Sequence, residues 1–148
     1  MPTTRYFEAS ACPHYPEKLF KMSALSSIKD ILQTFPDLEL SILIGSQAKG
    51  NASPESDWDI ALRWKNSTSG LLILQQTERL KQQIADAIHI HKDQIDFIDM
   101  TKARLAMRAV IAEEGAVLKG EDTLAWSHFL TQTWAELEDY YWRQNHAA

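Results

Sequence analysis

The sequence has a single cysteine, few basic residues and no long apolar run, and each shortage excludes a class of protein. Cys12 alone cannot form an internal disulfide or a zinc-finger motif, which favours a reducing compartment. The chain carries 15 basic against 20 acidic residues, a formal net charge of -5, so it lacks the cationic surface typical of general DNA- or RNA-binding proteins. We therefore expect no direct nucleic-acid binding.

The chain also lacks the apolar stretches that targeting and membrane insertion require. Its first twenty residues contain no continuous apolar core of the about 7–15 residues found in signal peptides. No apolar run approaches the length of about 18 residues expected of a membrane-spanning helix. These absences indicate a cytoplasmic protein with no membrane partner.

The chain has room for one ordinary domain, because 148 residues bury most of their apolar surface in a single core. Residues 1–22 mix prolines, charges and aromatics without a period, which predicts an irregular N-terminal segment. Residues 23–148 are expected to form a single domain that includes a C-terminal helix.

Hydrophobic periodicity predicts seven elements in this domain. Helical spacing predicts helices over residues 23–35, 71–90, 101–114 and 122–142, and apolar or alternating runs predict strands over residues 38–45, 57–64 and 93–100. Thr101 is the expected N-cap of the third helix. The last helix is expected to pack along one stripe: Trp126, Leu130, Trp134, Leu137 and Tyr141. This order predicts an α/β (α+β) domain with a mixed sheet flanked by helices.

Two aspartates stand one residue apart at the start of the strand "DWDIALRW". Alternation places the bulky apolar residues on a core face and Asp57, Asp59, Ala61 and Arg63 on a polar face. Carboxylates so close together repel unless a cation lies between them, and hard oxygen ligands suit Mg²⁺. Two such ions, about 3.5–4 Å apart, would stabilise the attacking and leaving oxygens of a phosphoryl displacement.

The strand "QIDFIDM" offers two candidates for a third carboxylate, and alternation separates them. If Ile95 and Phe97 face the core, Asp96 points to the polar face beside Asp57 and Asp59. Asp99, at the strand end, is better interpreted as a turn or helix-start residue.

Gly45 and Ser46 end the apolar strand that precedes these aspartates. A strand that ends in glycine and turns into a short helix presents free backbone N–H groups to an anion, and the serine adds a hydroxyl donor. Lys49 and Arg63 are further candidates for holding triphosphate charge, although the plain interpretation of each is a solvated surface charge.

Gly45-Ser46, ten intervening residues and then "DWD" make the G-S-x10-D-x-D signature. In this the chain resembles the polymerase-β-like nucleotidyltransferase superfamily, and "GSQAKGNASPESDWDIAL" is most similar to its minimal (MNT) branch, the antitoxins that accompany HEPN ribonuclease toxins. The resemblance runs from about residue 24 to about residue 120. It departs at Lys49, where the family commonly has arginine, whose planar fork lysine lacks.

The resemblance implies a small polymerase-β-like nucleotidyltransferase fold and a definite chemistry. Gly45 and Ser46 would hold the phosphates of ATP, and Asp57, Asp59 and Asp96 would bind two Mg²⁺ ions. Relatives of this kind transfer AMP to a tyrosine of the cognate HEPN toxin, which silences it. Two alternatives stay open: an inactive antitoxin that acts by binding, and an adenylyltransferase of small molecules such as aminoglycosides.

Overall fold

The structure is a computed structural model that describes residues 15–147, with side chains described from Lys18 onward. Its elements, in chain order, are α1 (Tyr15–Gln33), β1 (Leu38–Ile44), α2 (Gly45–Lys49), β2 (Trp58–Trp64), α3 (Gly70–Ile88), β3 (Ile95–Asp99), α4 (Leu105–Glu114), β4 (Ala116–Lys119) and α5 (Leu124–His146). One 3₁₀ turn, Lys92–Gln94, leads into β3.

The four strands form one mixed sheet in the order β3-β2-β1-β4. β1 is antiparallel to both β2 and β4, whereas β2 and β3 run parallel. The parallel pair is joined through α3, which is the crossover that parallel neighbours require. The end of β1 and the beginnings of β2 and β3 therefore meet at one edge of the sheet.

Helices cover both faces of the sheet, so the domain has two hydrophobic cores. α1 and α3 pack on one face, where Ile28, Leu32, Leu80 and Ile84 are fully buried against β1 and β2. α4 and α5 pack on the other face through Ile111, Trp126 and Phe129. The α+β fold with a C-terminal helix agrees with the prediction. No helix within residues 15–147 combines the length and apolar character needed to span a membrane.

The predicted irregular N-terminal segment is wrong for residues 15–22, which belong to α1. The mixed composition of this segment, which includes Pro16, does not prevent a helix, because Pro16 lies in the first turn of α1. A proline is tolerated in the first turn because its missing N–H would have no intrahelical partner. The rest of that segment, including Cys12, lies outside the described residues.

The predicted N-cap of the third helix is also wrong. α4 begins at Leu105 after Arg104, which caps it without a side-chain hydrogen bond. Thr101 belongs instead to a turn, because its backbone N–H and its hydroxyl both donate to Asp99 Oδ1. The Asp99–Thr101 pair satisfies these groups locally, which delays the helix by one turn.

Three further features of the structure differ from what the sequence predicted. β4 was not predicted, because its four residues carry no pattern and depend on pairing with β1. The face of β2 that was predicted to be polar is covered by α4 and α5 at the middle of the strand, where Ala61 is fully buried. α5 buries Trp126 and Leu137 and partly buries Leu130, as predicted, but it also buries Phe129 and Thr133 and leaves Trp134 and Tyr141 exposed.

Candidate active site

Asp59 lies at the centre of the sheet edge where β1 ends and β2 and β3 begin. In the parallel ladder it is the partner of Asp96, and in the antiparallel ladder it is the partner of Ile44. Neighbouring strands are about 4.8 Å apart, so register partners project side by side on one face. The fold thus places Asp59 between Asp96 and the turn that begins at Gly45.

The two faces of β3 follow the predicted alternation. Ile95 and Phe97 pack into the core formed with α1 and α3, while Ile98, which shares the face of Asp96, packs toward α4 and α5. Asp96 is exposed beside Asp59. Asp99 is the register partner of Leu62 and serves the turn to Thr101. Asp96, not Asp99, is therefore the carboxylate that accompanies Asp59.

Asp57 completes the acidic group from the loop just before β2, where it is exposed. Its charge and that of Asp96 act on Asp59, whose pKa is raised above 3.8 first by burial and then by these two neighbours. Within residues 18–147, no lysine, arginine or histidine forms an ion pair with any of the three. The group therefore holds uncompensated negative charge.

The carboxylate oxygens of this acidic group are suitable ligands for a divalent cation, but the three side chains do not surround a common metal position. Carboxylate oxygens are the ligands that Mg²⁺ prefers, together with water and substrate phosphates. In the described part of the chain, no three acidic, histidine or cysteine side chains already enclose a metal position.

Gly45 begins α2 with a left-handed φ of +74°, a conformation that side chains other than glycine rarely adopt. A Cβ atom at this position would lie 2.7 Å from Asp59 Oδ2, closer than real Cβ contacts allow. No side chain caps the start of α2, so the first N–H groups of this short helix remain available. A glycine at position 45 thus allows the left-handed turn and leaves space for the Asp59 carboxylate.

The two predicted cationic contacts are engaged elsewhere. Lys49 Nζ lies 2.9 Å from Glu114 Oε2 at the end of α4, at the same edge as α2. Arg63 Nε lies 3.2 Å from Glu39 Oε2, an ion pair without hydrogen-bond geometry. Four residues of strand, about 13 Å, separate Arg63 from Asp59. The structure therefore places Lys49, but not Arg63, at the edge of the sheet that carries Asp57, Asp59 and Asp96, which we call the acidic edge.

Glu114 was missed by sequence reasoning. It lies 65 positions after Lys49, and nothing in its local sequence, "IAEEG", distinguishes it from its exposed neighbour Glu113. Only the packing of α4 beside α2 brings its carboxylate to the lysine.

Comparison with solved structures identifies the fold. A chain of a toxin–antitoxin complex crystallised with AMP-PNP superimposes with a TM-score of 0.62 at 23% identity, covering 82% of this chain and 93% of that one. A chain of the complex between tri-AMPylated Shewanella oneidensis HEPN toxin and its MNT antitoxin gives 0.58 at 20% identity, covering 84% and 93%.

Sequence comparison points the same way. The protein adenylyltransferase MntA of Aphanizomenon flos-aquae (strain 2012/KM1/D3) is 29% identical over 96 residues, which cover 62% of this chain. The match spans 63% of the length of that relative. Residues 26–124, well over half of the chain, match the family described as polymerase beta, nucleotidyltransferase, and this range contains Gly45, Ser46 and all three carboxylates. The chain belongs to the polymerase beta nucleotidyltransferase family.

Proposed function

We propose that this protein is an MNT antitoxin that acts in the cytoplasm by transferring AMP from ATP to a tyrosine hydroxyl of a HEPN toxin, which neutralises the toxin. The observation that carries this proposal is the acidic edge formed by Asp57, Asp59 and Asp96, which has no cationic partner among the described side chains and lies beside the open start of α2. The similarity to MntA and to toxin–antitoxin complexes supports the choice of acceptor.

The three carboxylates would hold Mg²⁺, two ions in the proposed mechanism, and the metal would offset the negative charge that the triphosphate carries and develops. The tyrosine oxygen attacks the α-phosphorus of ATP. A bond forms between these atoms, the bond from the α-phosphorus to the oxygen bridging to the β-phosphate breaks, and pyrophosphate leaves. We assign acceptance of the tyrosine proton to one of the three carboxylates.

Gly45 and Ser46 would orient the leaving pyrophosphate. No side chain caps the start of α2, and Gly45 lies directly beside the Asp59 carboxylate, so the first N–H groups of α2 and the Ser46 hydroxyl would be the donors. The proposed phosphate site and the proposed metal site would then be neighbours, because Gly45 lies directly beside the Asp59 carboxylate. Such positioning is the main contribution that a protein makes to phosphoryl transfer.

The proposal is tested by incubating the purified protein with ATP, Mg²⁺ and the HEPN-type protein encoded beside its gene. We expect the intact mass of that protein to increase by whole AMP units, and peptide mapping to place the AMP on tyrosine. ATP turnover that needs a small hydroxylated molecule and no protein acceptor would contradict the proposal.

A variant with Asp57→Asn and Asp59→Asn separates catalysis from binding. The double variant should bind the toxin and leave it unmodified and active as a ribonuclease. If the toxin is never modified and the double variant still neutralises it, the protein inhibits by binding alone.

Replacing Glu114 by glutamine is expected to lower the concentration of ATP needed for half-maximal transfer. In the structure Glu114 competes with any phosphate for Lys49, and the substitution removes this competition. Because exposed ion pairs contribute at most about 1 kcal/mol, the expected decrease is at most about five-fold. Initial rates of AMP transfer over a range of ATP concentrations would measure it.

Glu113→Gln is the matched control for this change. Glu113 is exposed on the same helix and forms no ion pair in the described structure, so its substitution alters the net charge equally and leaves Lys49 paired. An equal effect of both variants would mean that overall charge, and not release of Lys49, controls ATP binding.

A further inference from the structure

Gln47 has a buried amide inside α2, between Ser46 and Lys49. Gln47 is 7% exposed, and only two other polar residues in the described structure, Ser41 and Thr133, are buried. Gln47 Nε2 donates a hydrogen bond to the Ser56 carbonyl oxygen at 3.3 Å. A buried amide needs such a partner, so this bond determines where the side chain lies.

The acceptor belongs to a compact turn that leads directly into the acidic site. Ser56 N–H donates to the Ser53 carbonyl at 3.0 Å, and Ser53 N–H donates to Ser56 Oγ at 2.9 Å. The two serine hydroxyls are also 3.0 Å apart. Across the described residues, the bond from Gln47 is the one side-chain hydrogen bond that joins this turn to α2.

Asp57 follows the turn immediately and depends on it for its position. Its carboxylate makes no hydrogen bond or ion pair with the described part of the chain, and it lies before the first residue of β2. The Ser56 carbonyl and the Asp57 nitrogen share one planar peptide group. A hydrogen bond that fixes the Ser56 carbonyl therefore also fixes the orientation of the peptide group that leads into Asp57.

We propose that Gln47 is a positioning residue that holds Asp57 in place for metal binding. It ties the helix that would contact the phosphates to the loop that supplies a carboxylate. This inference rests on the proposed role of the acidic edge as a Mg²⁺ site, and it does not depend on which acceptor receives the AMP.

Gln47→Met tests the proposal, because methionine keeps the length of the side chain and removes the donor. Mn²⁺ binding to the nucleotide-free protein, followed by electron paramagnetic resonance, should weaken by about 10- to 100-fold, the range seen when residues supporting metal ligands are lost. The Mg²⁺ concentration for half-maximal AMP transfer should rise in parallel, while the rate at saturating Mg²⁺ stays close to that of the wild type.

A double-mutant cycle distinguishes positioning from a general structural role. If Gln47 acts through Asp57, Gln47→Met should have no further effect on Mn²⁺ affinity in an Asp57→Asn background. Gln76→Met makes the same chemical change on α3 and should leave Mn²⁺ affinity unaltered. An equal loss with and without Asp57, or a lower melting temperature with unchanged Mn²⁺ affinity, would overturn the proposal.

Gln47→Asn provides a second test if the methionine variant does not fold. Asparagine keeps the amide, but its side chain is shorter by one methylene, so the donor no longer reaches the Ser56 carbonyl and Mn²⁺ affinity should again decrease. Retained wild-type affinity in this variant would contradict the inference. A wild-type protein that binds Mn²⁺ as described but modifies no toxin would contradict the proposed acceptor and leave the role of Gln47 intact.

Discussion

Replacing Asp59 by asparagine is expected to abolish AMP transfer and at the same time to raise the melting temperature of the metal-free protein. Asp59 lies between Asp96 and the turn at Gly45, so its replacement would remove the central ligand of the proposed metal site. Loss of one electrostatic group that stabilises a transition state costs about 10²- to 10³-fold in rate, and we expect at least this decrease. Intact-mass kinetics with the HEPN-type protein would measure it.

The gain in stability follows from the pKa of Asp59, which is raised by burial and then by the charges of Asp96 and Asp57. A raised pKa means that the folded protein favours the protonated form. The stabilisation from this group is therefore fully present below its unfolded pKa and is lost as pH rises through the folded value. At neutral pH the folded state carries the repulsion, and asparagine removes it.

Thermal unfolding with and without Mg²⁺ at several pH values would check this sign. The advantage of the Asp59→Asn variant should be present at pH 7 without Mg²⁺ and should disappear at low pH. Mg²⁺ should raise the melting temperature of the wild type more than that of the variant, because a ligand stabilises the state that binds it. A variant less stable than the wild type at pH 7 would contradict this account.

Asp99→Asn is the matched control for the loss of a carboxylate. Asp99 lies on the same strand as Asp96 but accepts hydrogen bonds from Thr101, a role that an amide oxygen can still perform. This variant should retain AMP transfer near the wild-type rate. A loss equal to that of Asp59→Asn would move the site to the other end of β3.

Gly45→Ala is expected to abolish AMP transfer and also to destabilise the fold. The backbone has a φ of +74°, which costs an L-residue about 1–2 kcal/mol. The added Cβ would lie 2.7 Å from Asp59 Oδ2, so the carboxylate must move away from its place beside Asp96. We expect a fall in melting temperature of about 2–8 °C, since 1 kcal/mol corresponds to about 2–4 °C in a domain of this size.

Gly70→Ala is the control for this substitution. Gly70 begins α3, and a Cβ there would meet nothing within 4 Å. Alanine is the better helix former, so the protein should be as stable as the wild type or slightly more stable, with unchanged AMP transfer. Retained activity in Gly45→Ala would show that Asp59 needs no space at the glycine.

The helices and strands with clear periodicity were predictable, and so was the grouping of Asp57, Asp59 and Asp96. Strand alternation separated Asp96 from Asp99, and the register of β3 against β2 agrees with that choice. The failures occurred where local preference and tertiary contact compete. β4 forms because it pairs with β1. α5 also buries Phe129 and Thr133 and leaves Trp134 exposed, because α4 and the sheet decide which side of the helix is covered.

By itself, the sequence determined the family of this protein and the chemistry that we propose for it, because residue type and strand period are local properties. A nucleotidyltransferase motif can be recognised from Gly45, Ser46 and the paired aspartates before any contact is known. Only the tertiary structure decided that Asp96 lies beside Asp59, that Glu114 holds Lys49 and that Gln47 holds the turn before Asp57. The first two arrangements depend on the packing of distant segments, and the third on how a loop folds back on its helix, none of which a linear pattern encodes.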